Sequence, residues 1–453
     1  MKRQPVASTR RRFLQGTAAA IGFPSIVPSS VFGQNAPSNR ITMGVVGWGM
    51  MGPGNTGKFL READCQVVAA CDIDKNHLKK AVDTINGYYK NTDCQTYHDY
   101  REMMAREDID TVMLAVPDNW HALTAIEAAK NGKDIYGEKP LARTVAEQQA
   151  IVRAVQKYNR IWQTGSWQRS EDNFRIGAEI VRNGLIGKLT HVEVGLPDGH
   201  NDFAKTGDKT ALTPPPAELD YEMWIGPATM QDYIEARIHK NWRWDYNIGG
   251  GQLLDWIGHH CDIAHWGMDS GPQELIPIQA DFPPRDAVWN TATKYRAEAK
   301  YAGDVTMTIA GGHKDIEKGT KWIGTDGWVW VNRGGAYECS NPELRQTIKK
   351  RNDKGEVVEA FKAPKLGDDV IKTRLYETPG HHRNFLDCVK SREATVTPVE
   401  TAHASAVPGH LALISLMLNR PVKWDPEKEV ILGDEEASKL LGRAYRGDWK
   451  LEG

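Results

Sequence analysis

A glycine-rich run, Gly47-Trp48-Gly49-Met50-Met51-Gly52, follows directly on the apolar run Ile41 to Val46, and no other feature narrows the fold as much. A strand that ends in Gly-x-Gly-x-x-Gly and feeds a helix gathers main-chain N–H groups and a helix N-terminus at one point, where they can hold a pyrophosphate. Side chains at the glycine positions would block that approach. Asp72 closes the next apolar run, 20 residues beyond Gly52. A carboxylate there can accept hydrogen bonds from ribose hydroxyls. It would also repel a 2′-phosphate, and no arginine follows in Ile73-Asp74-Lys75-Asn76. NAD is therefore the expected cofactor and NADP the disfavoured one, with Lys75 the one nearby cation that could serve a phosphate. Pro53 falls in the first helical turn, where its missing N–H costs little.

Short apolar runs alternate with helical stretches from residue 40 to 165. Strands are expected at Ile41 to Val46, Gln66 to Cys71, Thr111 to Val116, Asp134 to Tyr136 and Ile161 to Thr164. Helices are expected over Lys75 to Ile85, Asp99 to Arg106, Ala122 to Asn131 and Val145 to Tyr158. This alternation predicts an α/β, doubly wound parallel sheet. Ligands of such sheets bind outside the carboxyl ends of the strands, which directs attention to Val116-Pro117-Asp118-Asn119-Trp120-His121 and Gly137-Glu138-Lys139-Pro140. Candidate cofactor contacts are Gly47, Gly49, Met50, Met51, Gly52, Asp72, Pro117, His121 and Glu138, although His121 equally suits a helix cap.

Lys139 sits at such a strand end, with Pro140 biasing it toward an extended conformation. Further on, Gly249-Gly250-Gly251 opens a helical stretch in which Asp255, His259 and Asp262 stand at i, i+4 and i+7, on one face. The neighbouring histidines 259 and 260 leave a helix in different directions, so a shared metal ion is not expected.

Together, Glu138-Lys139-Pro140 and the Gly-Gly-Gly-x-x-x-Asp-x-x-x-His pattern resemble the glucose-fructose oxidoreductase and inositol dehydrogenase family. The resemblance implies an N-terminal Rossmann domain, over about 40–165, and a C-terminal α+β domain with an open, largely antiparallel sheet over 166–453. It implies that Asp255 and His259 face Lys139 at the substrate, and that the protein is a homo-oligomer. Strand candidates in the second domain are Thr190 to Gly195, Thr293 to Tyr301, Val305 to Ala310, Lys321 to Gly324 and Gly327 to Val331, with Asp326-Gly327 as a hairpin signal. The stretch 198–243, rich in Pro and Trp, resembles an insertion of secreted relatives and is expected to shape the substrate pocket. A C-terminal helical segment follows His381-His382-Arg383-Asn384.

The residues Thr9-Arg10-Arg11-Arg12-Phe13-Leu14 precede a modest apolar stretch and a small-residue cleavage candidate at Val31-Phe32-Gly33. Residues 1–33 thus resemble a twin-arginine signal, implying the export machinery as a partner and a periplasmic destination without stable membrane insertion. With 57 basic and 59 acidic residues, the net charge of -2 gives no field suited to nucleic acid. The six cysteines show neither zinc-type spacing nor a disulfide framework.

A secondary alcohol gives up a hydride while a base removes its hydroxyl proton. His259 is the expected base, oriented by Asp255, with Lys139 stabilising charge on the same oxygen. A sugar, glycoside or cyclic polyol is the expected substrate: 15 Trp against 9 Phe offer flat faces, among them Trp242. Trp167, Gln168, Arg169 and Asp262 complete the expected substrate contacts. The rival reading is a redox-neutral hydrolase or lyase that uses the same nucleotide by transient oxidation and elimination. A protein that only binds or senses its ligand is a further alternative.

Overall fold

A computed structural model describes residues 40–351 and 357–451; the expected export signal lies outside the described residues. From Ile41 onward the chain builds β1 (Ile41–Val46), α1 (Gly52–Phe59), β2 (Cys65–Cys71), α2 (Lys75–Tyr89), β3 (Gln95–Tyr97), α3 (Tyr100–Met104), β4 (Thr111–Leu114), α4 (His121–Lys130), β5 (Asp134–Gly137), α5 (Val145–Lys157) and β6 (Trp162–Thr164). All six strands pair in parallel, in the order β3-β2-β1-β4-β5-β6. The order reverses between β1 and β4, so the crevice at their carboxyl ends lies beside the glycine loop. Local chemistry starts the helices: Asp74 accepts from the N–H groups of Asn76 and His77, and Thr144 with Glu147 forms a reciprocal capping box for α5. The edge strand β3 was not anticipated. Its three residues are polar or partly exposed, so no apolar run announces it.

The second domain continues with α6 (Asp172–Arg182), β7 (Leu189–Leu196), α7 (Tyr221–Ile225), α8 (Gly251–Met268), β8 (Pro272–Asp281), β9 (Lys294–Tyr301), β10 (Thr306–Gly311), β11 (Gly319–Gly324), β12 (Trp328–Asn332) and β13 (Ala336–Cys339). A separate hairpin joins β14 (Gln346–Arg351) and β15 (Val357–Lys362), followed by α9 (His381–Ser391), α10 (Val399–Leu418), β16 (Val422–Asp425) and β17 (Val430–Ile431). Nine strands form a mixed sheet in the order β13-β12-β11-β7-β10-β9-β8-β16-β17, antiparallel except for β7 beside β10. In β9 the period of two is plain: Tyr295, Ala297, Ala299 and Tyr301 are buried while Arg296, Glu298 and Lys300 alternate with them on the other face. Helix α10 is apolar enough by composition to cross a membrane, yet most of it is buried inside the protein, where it serves the core. All six cysteines are free and buried.

Helix α8 is buried almost throughout, as a helix apolar on most sides must be. This decides the fate of two expected substrate contacts. Arg169 donates from Nε and Nη2 to the two Asp262 carboxylate oxygens at 2.7 and 2.9 Å, with its guanidinium 4.9 Å from the Trp266 ring. Both residues are buried. The Asp255–Asp262 face leaves the site after one turn and enters the core, so this pair pins α8 to the chain after β6 instead of meeting substrate. Arg169→Leu strands a buried carboxylate and should lower unfolding free energy by about 3–5 kcal/mol in urea denaturation. Combined with Asp262→Leu, most of that loss should return.

Candidate active site

At the carboxyl ends of β1, β2, β4 and β5 lies a cleft of about 1040 Å³ including its open mouth, lined by Gly47, Gly49, Met50, Met51, Asp72, Pro117, His121, Glu138 and Lys139. Gly47 has φ +89°, and a Cβ there would sit 2.4 Å from the Ala115 carbonyl oxygen, so only glycine lets the loop turn so close to β4. Gly49 faces empty space, and the α1 N-terminus has no side-chain cap to use up its free N–H groups. Asp72 is held in place: Oδ2 accepts from Trp48 N–H at 2.7 Å and Oδ1 from Asp74 N–H at 2.9 Å. Open glycine, free helix N–H groups and a fixed carboxylate fit a dinucleotide.

Glu138 accepts from Asn55 at 2.7 Å through Oε1, while its buried Oε2 has no partner. Burial pushes its carboxyl up, with Lys139 and Asn55 pulling the other way. His121 lines the cleft, but its ring nitrogens face the Pro140 and Val116 carbonyls at 2.7 and 3.0 Å. Nδ1 thereby faces the Lys139–Pro140 turn and Nε2 the end of the segment after β4. At the ribose end Asp74, His77 and His239 bring donor atoms within 4.8 Å of one another. Asp74 caps α2 and His77 leans on Asp72 at 3.7 Å, which accounts for the cluster without an ion.

The insertion does more than shape a substrate pocket. Its segment 218–226 is stitched to the first sheet: Lys75 N–H donates to Glu218 O, Asp220 N–H to Ile73 O, Asn119 Nδ2 to Ile225 O and Trp120 Nε1 to Met223 O. Leu219, Met223, Trp224, His239, Lys240, Trp242 and Arg243 thereby wall the nucleotide cleft. Trp242, expected at the substrate, stands in this wall with the Arg243 guanidinium 4.4 Å from its ring.

Lys139 and α8 meet at the inner end. Lys139 Nζ donates to Asp255 O at 2.6 Å and to Asp255 Oδ1 at 2.9 Å, and Arg243 Nε reaches the same carboxylate oxygen at 3.1 Å. Burial alone would raise Asp255, but Lys139 and Arg243 outweigh it and hold the carboxyl at about 2. Asp255 therefore does not orient His259, contrary to expectation; the two nearby cations claim its carboxylate. His259 stands one turn on, pushed well below its ordinary value by burial and then by Lys139 and Arg333, so its imidazole is neutral. Its Nδ1 is buried without a partner.

Beside α8, Gln168 Nε2 lies 3.3 Å from His260 Nδ1, and the rings of the half-buried Trp167 and Trp256 lie 4.7 and 4.2 Å from the Arg333 guanidinium. Trp244 is wholly buried and belongs to the core.

Two members of the site went unrecognised in the sequence. Arg243 was hidden between Trp242 and Trp244, with no local signal of its distant partner. Asp118 had a signal, an acid two residues after the expected strand end Val116 at the carboxyl edge. It is buried in the cleft wall, and its Oδ1 has no partner. Burial and then the Asp255 charge raise its carboxyl from 3.8 to about 7, against the pull of Arg243, Lys139 and Arg143. Between those values the folded protein keeps a proton that the unfolded chain has shed, so this group makes stability fall as pH rises through the window. Asp118→Asn should flatten that part of the profile, measured as urea unfolding free energy at about pH 5 and about pH 8.

Residues 41–166 match the family model described as "Oxidoreductase family, NAD-binding Rossmann fold", and residues 174–374 and 353–451 match its "C-terminal alpha/beta domain". A "Glycosyl hydrolase family 109 protein" of Shewanella woodyi is 32% identical over 171 residues, 36% of each chain, so the match spans little more than a third of that curated relative. Among solved structures, myo-inositol 2-dehydrogenase from Lactobacillus plantarum aligns with a TM-score of 0.58 at 19% identity. Aldose-aldose oxidoreductase from Caulobacter crescentus complexed with glycerol aligns at 0.59 and 16%. Scyllo-inositol dehydrogenase from Lactobacillus casei with bound NAD(H) and scyllo-inositol aligns at 0.57 and 16%. Each alignment covers 85% of this chain and 99% of the other, and at such identity the likeness is one of fold. With both domains matched in order, the chain belongs to the Gfo/Idh/MocA oxidoreductase family and carries that family's NAD-binding Rossmann domain.

Proposed function

We propose that the protein oxidises a secondary alcohol of a sugar, glycoside or cyclic polyol with a nicotinamide nucleotide it keeps bound. The observation that carries this reading is Lys139, fixed on Asp255 at the inner end of the nucleotide cleft, with neutral His259 one helical turn away. When bound, NAD supplies the hydride acceptor. Lys139 donates a hydrogen bond to the substrate oxygen and stabilises negative charge there as its proton leaves. With Nδ1 enclosed, His259 receives that proton at Nε2; an imidazole kept neutral by burial is ready to accept it. Gly47, Gly49, Met50, Met51, Gly52, Asp72 and Glu138 are assigned to the nucleotide, with Pro117 and the carbon edge of His121 along its wall. The stitched segment 218–226 supports a nucleotide retained between turnovers.

A redox-neutral hydrolase or lyase is the second reading, favoured by the segment shared with the glycosyl hydrolase relative. There the same residues would serve a transient oxidation followed by elimination. The arginine-rich run at Arg10-Arg11-Arg12 supports export of the folded, loaded protein to the periplasm, and the open sheet face of the second domain supports self-association.

Purified without added nucleotide and then denatured, the protein should release NAD in near-equal amount. Offered sugars and glycosides, the native protein should show lasting nicotinamide reduction, and His259→Ala should slow that step by about a hundredfold or more. Glycoside cleavage without lasting reduction would select the second reading, and absence of bindable nucleotide would overturn both. Arg10→Lys with Arg11→Lys should leave the protein in the cytoplasm on cell fractionation; unchanged export would remove the signal assignment.

A further inference from the structure

The hairpin turn between β12 and β13 delivers Arg333 to the helix that carries Asp255 and His259. Asn173 at the start of α6 clamps the turn, donating through Nδ2 to Asn332 O at 2.8 Å and to Ala336 O at 2.9 Å. Between those two anchors the Arg333 guanidinium lies 4.2 Å from the Trp256 ring and 4.7 Å from the Trp167 ring. Trp256 in turn sits 5.4 Å from the His259 ring, and the Arg333 charge is felt by both His259 and Asp255. Stacking against indoles leaves a guanidinium its in-plane edges for hydrogen bonds.

One of those edges is unused. Nε and Nη2 of Arg333 are buried and have no hydrogen-bond partner among the described residues. Elsewhere in this chain the same edge repeatedly grips a carboxylate. Arg169 uses it on Asp262, Arg420 on Asp434, Arg374 on Asp368 and Arg106 on Asp108, all between 2.6 and 3.0 Å. Glu171 is the acid whose charge acts most strongly on Arg333. Yet its own buried Oε2 has no hydrogen-bond partner. Burial also pushes the Glu171 carboxyl up, toward the uncharged form. A desolvated guanidinium whose enclosed Nε and Nη2 donors are left unpartnered, near the helix that carries His259, calls for a planar or tetrahedral oxyanion.

We infer that Arg333 is a specificity residue and that the substrate is an anionic carbohydrate, gripped through a carboxylate or sulfate ester on the Nε–Nη2 edge while a hydroxyl of the same molecule meets Lys139. Trp167 and Trp256 hold the guanidinium flat for this contact, and Gln168 and Glu171 offer unpartnered oxygens to the remaining hydroxyls.

This inference rests on the carbohydrate oxidoreductase reading, and two readouts keep their failures apart. In the first, the NAD-loaded protein is offered glucuronate, methyl glucuronate ester, glucose and glucose 6-sulfate, and kcat/KM is read from nicotinamide absorbance. An anionic sugar should exceed its uncharged counterpart by about tenfold to a hundredfold. The preferred anion, carboxylate or sulfate, identifies the group. Arg333→Gln should collapse that ratio through KM, and Arg333→Lys, which keeps the charge and loses the fork, should restore only part of it. A ratio near one, or a ratio that survives Arg333→Gln, overturns the inference. In the second readout, binding of the same four probes to the loaded protein is followed by tryptophan fluorescence, independent of turnover. Binding of a charged probe that disappears in Arg333→Gln supports the anion site even if no sugar is oxidised, in which case the oxidoreductase reading alone has failed. Equal binding of charged and uncharged probes overturns the anion site whatever the turnover shows.

Discussion

The contact between Lys139 and Asp255 is the constraint on which the rest of the site depends. It joins the end of β5 in the first domain to the start of α8 in the second, at 2.6 Å to the main-chain oxygen and 2.9 Å to the carboxylate. Burying two charges is costly, and their attraction offsets that cost only when the geometry is good and the remaining donors and acceptors are served. Here Arg243 serves the carboxylate as well. Close approach is possible because position 258 is glycine: a Cβ there would meet Lys139 Cβ at 3.1 Å. Ser166 adds a bond from its hydroxyl to the Gly258 carbonyl at 2.6 Å, tying the chain after β6 to the same turn of α8. The nucleotide cleft and the helix bearing His259 therefore have a fixed relation.

That contact also sets the charges around it. Two acids lie close enough for one to act on the other, and their environments separate them. Asp255, beside Lys139 and Arg243, stays ionised, with its carboxyl at about 2. Asp118, buried and facing the Asp255 charge, is raised to about 7. Two carboxyls held in opposite states by burial and neighbours provide one fixed negative charge and one group that titrates near neutrality. His259 is kept neutral first by burial and then by Lys139, which also helps keep Asp255 charged, and by Arg333. The imidazole has no carboxylate behind it; its basicity depends on Lys139 and on what substrate brings.

Where pattern and chemistry are local, the fold was legible. Five of the six first-domain strands and the glycine loop follow from apolar runs and from the steric demand at Gly47. The edge strand β3 was not, being too short and polar. In the second domain β8 escaped because Pro272 and Pro277 argue against a strand; the first opens it and the second sits where its register shifts. The helix spacing correctly put Asp255 and His259 on one face. It could not say that Asp255 turns to Lys139, because that partner lies 116 residues away.

The sequence by itself determined a Rossmann domain, a carboxylate at the end of its second strand, a lysine at the end of its fifth, and Asp255 with His259 on one helix face, since each depends on neighbours within a few turns of chain. Tertiary structure alone decided which acids are charged, that Lys139 meets Asp255, that Arg169 and Asp262 spend themselves on each other across 93 residues, that segment 218–226 walls the cleft, and that Arg333 keeps buried, unpartnered donors beside α8. Burial and pairing between distant segments set ionisation and hydrogen bonding, and neither can be read until the chain has closed on itself.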